Sequence, residues 1–291
     1  MEGAVAYVNG VFSPVEEARV SIEDRGFQFG DGVYEVIAVY DRRPFLMDRH
    51  MVRLRQSCRA IGLEYDFDGR PLDPIVREGL KRSGLRDVMV YIQLTRGVAP
   101  RSHVIPPGMT PTIVMTFRAL PRLTPEQRQQ GARIMTTPET RWSKCYIKAV
   151  TLLPNILARN EAVAKGFDDA LFVTTGGEVR ECTSSNVFLV RDGRLLLPPR
   201  DESVLHGVTQ GFLLECAESI GLRIDETVCT IETLKAAEEA FLSSTTAEVW
   251  GITSIDGKPV ADGRVGPITR RLHETFQSRV RGEPVDAAGT A

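Results

Sequence analysis

Lysine is scarce in this chain, and one of its six positions is a candidate for chemistry. Lys148 ends the run Arg141-Trp142-Ser143-Lys144-Cys145-Tyr146-Ile147-Lys148 and is followed by Ala149-Val150, so its neighbours are apolar. An ammonium in such surroundings is costly unless its pKa falls or the amine becomes an imine, and either change makes it a base or a nucleophile. A lysine that lays its stem on apolar surface and keeps its head group in water satisfies the same spacing, so both readings stand on spacing alone. Lys81, Lys165 and Lys235 lie in or at the ends of polar helical stretches, and Lys258 follows the turn Asp256-Gly257; these read as solvated charges. Two other segments could handle an anion. Leu205-His206-Gly207-Val208-Thr209 leads into a helix whose free N–H groups suit a phosphate, and Ser243-Ser244-Thr245-Thr246 supplies four hydroxyls after Ala240-Phe241-Leu242. Ordinary capping and a strand-end turn account for both equally well. Glu181, in Glu181-Cys182-Thr183-Ser184-Ser185-Asn186 between two strands, can point inward.

Other chemistries lack their signatures. The four histidines (His50, His103, His206, His273) never pair as H-E-x-x-H, so no helical zinc site is expected and no metal is assigned. There is no G-x-S-x-G elbow and no phosphate-binding Walker loop. Gly26-Phe27-Gln28-Phe29-Gly30-Asp31-Gly32 does not fit a dinucleotide fingerprint and reads as a tight loop entering a strand.

The elements that must position these residues follow from periodicity and turn chemistry. Ala6 to Val8, Asn9-Gly10 and Val11-Phe12 predict an opening hairpin. Residues 33–40 form a β-rich run closed by Asp41-Arg42-Arg43-Pro44. Residues 48–61 carry a helical stripe of Met51, Leu54, Cys58 and Ile61, with Gly62 as the stop. Residues 88–95 and 112–117 read as strands flanking a Pro/Gly-rich loop. Pro154 opens a helix that Gly166 ends. Asp169 to Thr174, Glu178 to Cys182 and Asn186 to Val190 read as strands, with Gly176-Gly177 as a turn. Helices are expected from about Val208 to Ile220 and from about Pro267. The division expected is a small α+β domain over 1–117, a linker over 118–125, a larger domain over 126–281 that carries Lys148, and a disordered tail over 282–291.

The bulk numbers set the setting. With 291 residues, 42% hydrophobic, the chain can build one large core or two modest ones. A formal net charge of -2 gives no electrostatic case for nucleic acid or an anionic membrane. No apolar run approaches the roughly 20 residues of a spanning helix, and the N-terminus lacks the order of a signal peptide. Five scattered cysteines, never spaced C-x-x-C, fit reduced thiols, so a soluble cytoplasmic protein is expected.

Taken together the segments resemble a fold-type IV pyridoxal-phosphate enzyme, in particular the bacterial D-amino acid (D-alanine) aminotransferases, from about Tyr7 to the last helix. The markers are residues 23–35 (Glu23-Asp24-Arg25-Gly26-Phe27-Gln28-Phe29-Gly30-Asp31-Gly32-Val33-Tyr34-Glu35), His50 to Leu54, Thr95-Arg96-Gly97 with Arg101-Ser102-His103, Arg141-Trp142, Ile147-Lys148, Glu181 to Asn186, Leu205 to Thr209 and Ser244-Thr245-Thr246. Several motifs in the right order are far more specific than any one.

The resemblance implies a two-domain α+β fold and pyridoxal 5′-phosphate as cofactor. It implies that Lys148 forms the Schiff base and then carries the proton, and that Glu181 keeps the pyridine nitrogen protonated. Arg53, Val208, Thr209, Ser244 and Thr245 would hold the phosphate, and Leu205 would pack on the ring. Tyr34, Arg101, His103 and Thr246 would hold the substrate, with Arg101 and His103 supplied by the second subunit of a homodimer. The implied reaction moves an amino group from a D-amino acid to 2-oxoglutarate or pyruvate. Branched-chain L-amino acid aminotransferases, (R)-selective amine transaminases and 4-amino-4-deoxychorismate lyase share the same cofactor residues and are the alternatives. Cys182-Thr183 stands where a Gly-Ser pair is common, and His206 where some members have lysine.

Overall fold

A computed structural model describes residues 4–282. The tail expected to be disordered therefore lies outside the described residues beyond Gly282, which closes the last helix in a left-handed conformation. The chain divides into two compact units, Met1–Pro121 with Ile147–Leu152, and Arg122–Tyr146 with Leu153–Ala291. The exchange of Ile147–Leu152 departs from a division by chain order: the segment bearing Lys148 belongs with the first unit. Its cause is backbone pairing at an open strand edge, given below.

The first unit contains β1 (Val5–Val8), β2 (Val11–Pro14), α1 (Arg25–Phe29), β3 (Gly32–Tyr40), β4 (Arg43–Pro44), α2 (Met47–Ala60), α3 (Asp73–Ser83), β5 (Val88–Thr95) and β6 (Thr112–Ala119). The strands form one antiparallel sheet in the order β2-β1-β6-β5-β3-β4. Asn9 and Gly10 take positive φ in the expected hairpin, and Asp41 and Arg42 do so between β3 and β4. Along β3, Val33, Glu35, Ile37 and Val39 alternate onto one buried row. The glycine-rich stretch is not simply a loop. Asp24 caps a short helical turn, α1, by accepting from the Gly26 N–H, and Gly30 ends it at φ 68 before β3 begins. Helix α3 was not read from the sequence.

The second unit contains α4 (Pro125–Gln130), β7 (Ala132–Pro138), α5 (Leu153–Ala164), β8 (Asp169–Val173), β9 (Val179–Cys182), β10 (Asn186–Arg191), β11 (Arg194–Leu197), α6 (Val208–Ser219), β12 (Arg223–Glu226), α7 (Ile231–Lys235), β13 (Glu239–Ser244), β14 (Glu248–Ile255), β15 (Lys258–Pro259) and α8 (Pro267–Arg281). The sheet runs β12-β11-β10-β13-β14-β7-β8-β9, with β15 on β14. It is mixed, because β11–β12, β14–β7 and β7–β8 pair in parallel. Strict alternation along β10 and β13 splits two cores. Val187, Leu189, Ala240 and Leu242 join Ile134, Leu171 and Ile252 in one. On the opposite parity Phe188 stacks on Phe241 at 4.8 Å, and Asn186 stands across from Ser243. Glu239 of β13 accepts from the Ile268 and Thr269 N–H groups and so caps α8 from a neighbouring strand. Among the described residues no helix is long and apolar enough to cross a membrane, and the five cysteines are buried and unbridged.

Candidate active site

In the first unit the Lys148 segment completes the edge of β3 that short β4 leaves open. The Tyr34 N–H donates to the Lys148 carbonyl at 2.9 Å, the Val150 N–H to the Gly32 carbonyl at 3.1 Å, and the Lys148 N–H to Ser57 Oγ at 3.2 Å. Ile147 and Ala149 are buried while Lys148 is half-buried, its Nζ 4.3 Å from the centre of the Tyr34 ring. The amine is thus held over an aromatic face by backbone bonds that do not depend on its own side chain.

Behind it lies a buried charge cluster. Arg53 donates from Nε and Nη2 to both oxygens of Glu35, at 2.7 and 2.8 Å, and His50 Nδ1 stands 2.7 Å from Glu35 Oε2. The carboxylate only accepts, so Nδ1 carries the hydrogen. Glu35 has no solvent exposure. Burial pushes its carboxyl up, but Arg53 and His50 outweigh burial and hold it at about 2, against an ordinary 4.5. Burial holds the His50 pKa below its ordinary value despite the pull of Glu35.

Between about pH 4.5 and 2 the unfolded chain protonates Glu35 and the native chain does not, so acid withdraws a contribution on the order of 3 kcal/mol. His50 acts in the same direction below its ordinary pKa, because unfolding lets it take a proton. Glu35→Gln is expected to lower stability near neutrality by roughly 3–5 kcal/mol, the cost of orphaning a buried arginine, and to flatten the acid slope. Urea unfolding from pH 7 to 3 checks this; an unchanged slope would contradict it.

A second network ties loop to helix. Asp31 takes Arg25 Nε at 2.8 Å and Arg96 Nε at 2.8 Å, Arg96 also donates to the Ile61 and Gly62 carbonyls, and Arg25 Nη1 reaches the Ser102 carbonyl at 2.6 Å. Burial raises the Asp31 pKa, but the two arginines hold it below its ordinary value. Arg101 and His103 flank Ser102. Both are exposed, the Arg101 guanidinium 4.5 Å from the Phe29 ring centre and the His103 ring 5.6 Å from it.

In the second unit Glu181 lies near the end of β9, in the strand expected over Glu178 to Cys182, and is buried as an inward-pointing side chain would be. Its carboxylate accepts from Arg141 Nη1 at 2.5 Å, Asn186 Nδ2 at 3.0 Å and the Leu205 N–H at 3.1 Å. Arg141 is itself clamped by Glu139, at 3.0 and 2.6 Å, and lies 4.4 Å from the Phe172 ring centre. Burial would lower the Arg141 pKa, yet Glu139 and Glu181 raise it, so its charge is permanent. Thr183 is pinned by Asp169, which Arg159 of α5 also pairs. Helix α6 starts after Gly207, which offers no side-chain cap, so the N–H groups of Val208 and Thr209 face outward from the helix start. A Cβ at 207 would lie 2.2 Å from Asn186 Oδ1, on an amide already held by Glu181 and the Leu205 carbonyl, so the position has room only for glycine. Ser244 Oγ accepts from the Ala247 N–H and shapes the turn that carries Thr245 and Thr246, all half-buried. Ser243 Oγ is buried and, among the described residues, has no hydrogen-bond partner.

Each unit therefore collects its share of the residues singled out from sequence: Tyr34, Arg53, Lys148, Arg101 and His103 in the first, Glu181, Leu205, Val208, Thr209, Ser244, Thr245 and Thr246 in the second. Ser57 and Glu139 were missed, and Glu35, His50, Arg141 and Asn186 were noted only as parts of motifs. In the second unit a held carboxylate, an uncapped helix start beside a cramped glycine and the Ser243 hydroxyl, unpartnered among the described residues, and in the first unit a half-buried amine, are each of the chemistry that a phosphorylated pyridine aldehyde requires, so the residues present fit that cofactor.

The sequence pattern of Amino-transferase class IV matches residues 32–255. The D-alanine aminotransferase of Staphylococcus epidermidis is 38% identical over 279 residues, covering 96% of this chain and 99% of that protein. That of Listeria monocytogenes serotype 1/2a is 38% identical over 278 residues, covering 94% and 95%. Among solved structures, the Escherichia coli branched-chain amino acid aminotransferase superposes with a TM-score of 0.88 at 27% identity, over 98% of this chain and 97% of that one. The T.th. branched-chain amino acid aminotransferase with pyridoxamine 5′-phosphate also gives 0.88 at 27% identity, over 97% and 96%. With the fold, the matched pattern and the relatives in agreement, the chain belongs to the class IV aminotransferases, which work with pyridoxal 5′-phosphate.

Proposed function

We propose that the protein exchanges an amino group between a D-amino acid, D-alanine among them, and a 2-oxo acid such as 2-oxoglutarate or pyruvate. The observation that carries this is Lys148, an amine fixed by backbone bonds over Tyr34, in a chain 38% identical to proteins named for D-alanine. When bound, pyridoxal phosphate supplies an aldehyde that receives the amino group and a protonated ring that draws electrons from the substrate α-carbon. With the cofactor bound, Lys148 Nζ would tether it and would move the substrate's α-proton. Glu181, aimed by Arg141, Asn186 and the Leu205 N–H, would hold the ring nitrogen's proton. Arg53 in the first unit, and Val208, Thr209, Ser244 and Thr245 in the second, would bind its phosphate, and Leu205 would back its ring. Glu35 already takes two nitrogens of Arg53, which fixes the direction of that guanidinium.

Tyr34, Thr246, Arg101 and His103 orient the substrate carboxylate, the last two from a second subunit. Exposed apolar residues support a homodimer: Leu153 (65%), Ile156 (53%) and Leu157 (61%) form one stripe of α5, and Phe27 in the first unit is 70% exposed. A soluble cytoplasmic enzyme is part of the same reading.

The neighbours named as branched-chain enzymes keep one alternative in view, an L-amino acid donor. A panel of D- and L-donors with 2-oxoglutarate and pyruvate separates the two: D-alanine is expected to outperform L-leucine, and the reverse order would replace the proposal. Arg101→Ala is expected to raise KM for D-alanine about tenfold with kcat less affected, the worth of one charge-assisted contact. An unchanged KM would remove Arg101 from the carboxylate site.

A further inference from the structure

The second unit contains a cavity of about 550 Å³ between α4, the loop before α8 and the first turns of α8. Arg128, Arg264, Arg270 and His273 line it, with Val265 as an apolar wall and Glu274 the one carboxylate among the lining residues. Arg128 is committed to the protein: it donates to the Ala247 and Val249 carbonyls and to Glu248, a carboxylate that His273 and Gln277 also approach. Arg264 and Arg270 are not so committed. Both are exposed, and among the described residues neither has a salt-bridge partner; Arg270 turns one nitrogen to the Val265 carbonyl. Glu274, one helical turn beyond Arg270, pairs with neither. The wall is therefore net positive, with two guanidinium forks left to meet a ligand.

A guanidinium fork takes two oxygens at a time from a carboxylate or a phosphate, but the three terminal oxygens and higher charge of a phosphate can serve two forks at once, which a lone carboxylate does less fully. The space exceeds what a bare phosphate fills and falls within the ~300–1,000 Å³ of small-molecule sites. Val265 and the arginine stems can pack against an organic group. We propose that this cavity binds a small phosphorylated organic molecule, with its phosphate held by Arg264 and Arg270. The proposal does not depend on the amino-transfer reading.

Phenyl phosphate titrated calorimetrically into the cofactor-loaded protein tests it. Saturable binding is expected, stronger than for inorganic phosphate and weakened by added salt. Arg264→Ala and Arg270→Ala should each weaken it about tenfold, the worth of one charge-assisted contact. Both side chains are exposed, so unchanged thermal melts will certify the fold of the variants. No saturable binding, equal affinity in the double variant, or succinate binding as tightly as phenyl phosphate would overturn the proposal.

Discussion

Lys148→Ala is expected to abolish the visible absorption band of the cofactor-loaded protein and to lower kcat for D-alanine by about 10⁴-fold or more. The size follows from removing the covalent tether and the proton carrier together; proton transfer alone contributes about 10²–10⁴-fold. The variant should nonetheless fold. The segment is pinned by the Lys148 carbonyl to the Tyr34 N–H and by the Lys148 N–H to Ser57 Oγ, and alanine keeps both. What is lost is a cation on an aromatic face, about 0.5–1 kcal/mol at such a site, so the melting temperature should fall by no more than about 4 °C. A variant that folds and keeps activity within tenfold of the parent would remove Lys148 from the chemistry.

Glu181→Gln should have the next largest effect. A glutamine there is nearly isosteric but carries no charge to hold a proton on a pyridine nitrogen. It also leaves Arg141 Nη1 facing a neutral group. The expected loss is in kcat, about 10²–10³-fold, the scale of removing one preorganised electrostatic partner, with KM changed far less. Glu181→Asp keeps the charge but withdraws it by one methylene from three fixed donors, so it should recover only part of the rate. If glutamine and glutamate were equally active, the carboxylate would be structural.

Much of this architecture is legible in the residues because it is written in short-range chemistry. Asn9-Gly10, Asp41-Arg42 and Gly176-Gly177 are turn residues between apolar runs, and each lies at a strand connection. Gly62, Gly166 and Gly221 take positive φ just past the helices they close. Helix α3 was harder to read, because its buried side offers only Val76 and Leu80 beside the small Gly79 and Ser83. The five-residue α1 is too short for periodicity to register.

The site was legible in its motifs and opaque in its supports. His50, Arg53 and Ser57 follow the spacing i, i+3, i+7 on α2, alongside Leu54 and Cys58, so the inward stripe is half polar. Reading only its apolar members concealed the cluster. Glu35 carried a signal that could have been used: it occupies the same alternate row of β3 as Val33, Ile37 and Val39, and a carboxylate in such a row requires a buried cation. Arg141, Glu181 and Asn186 are separated by as many as 45 residues along the chain, and nothing local in the sequence announces that they converge. The capture of residues 147–152 by the first unit is likewise a matter of which strand edge is left unpaired.

Six lysines make one measurement decisive. Borohydride reduction of the cofactor-loaded protein, followed by proteolysis and mass mapping, fixes the cofactor to whichever amine holds it. The pyridoxyl mass is expected on the peptide containing Lys148, at about one per chain. A stoichiometric adduct on Lys144 or any other lysine, or none at all from a protein that transfers amino groups, would contradict the account.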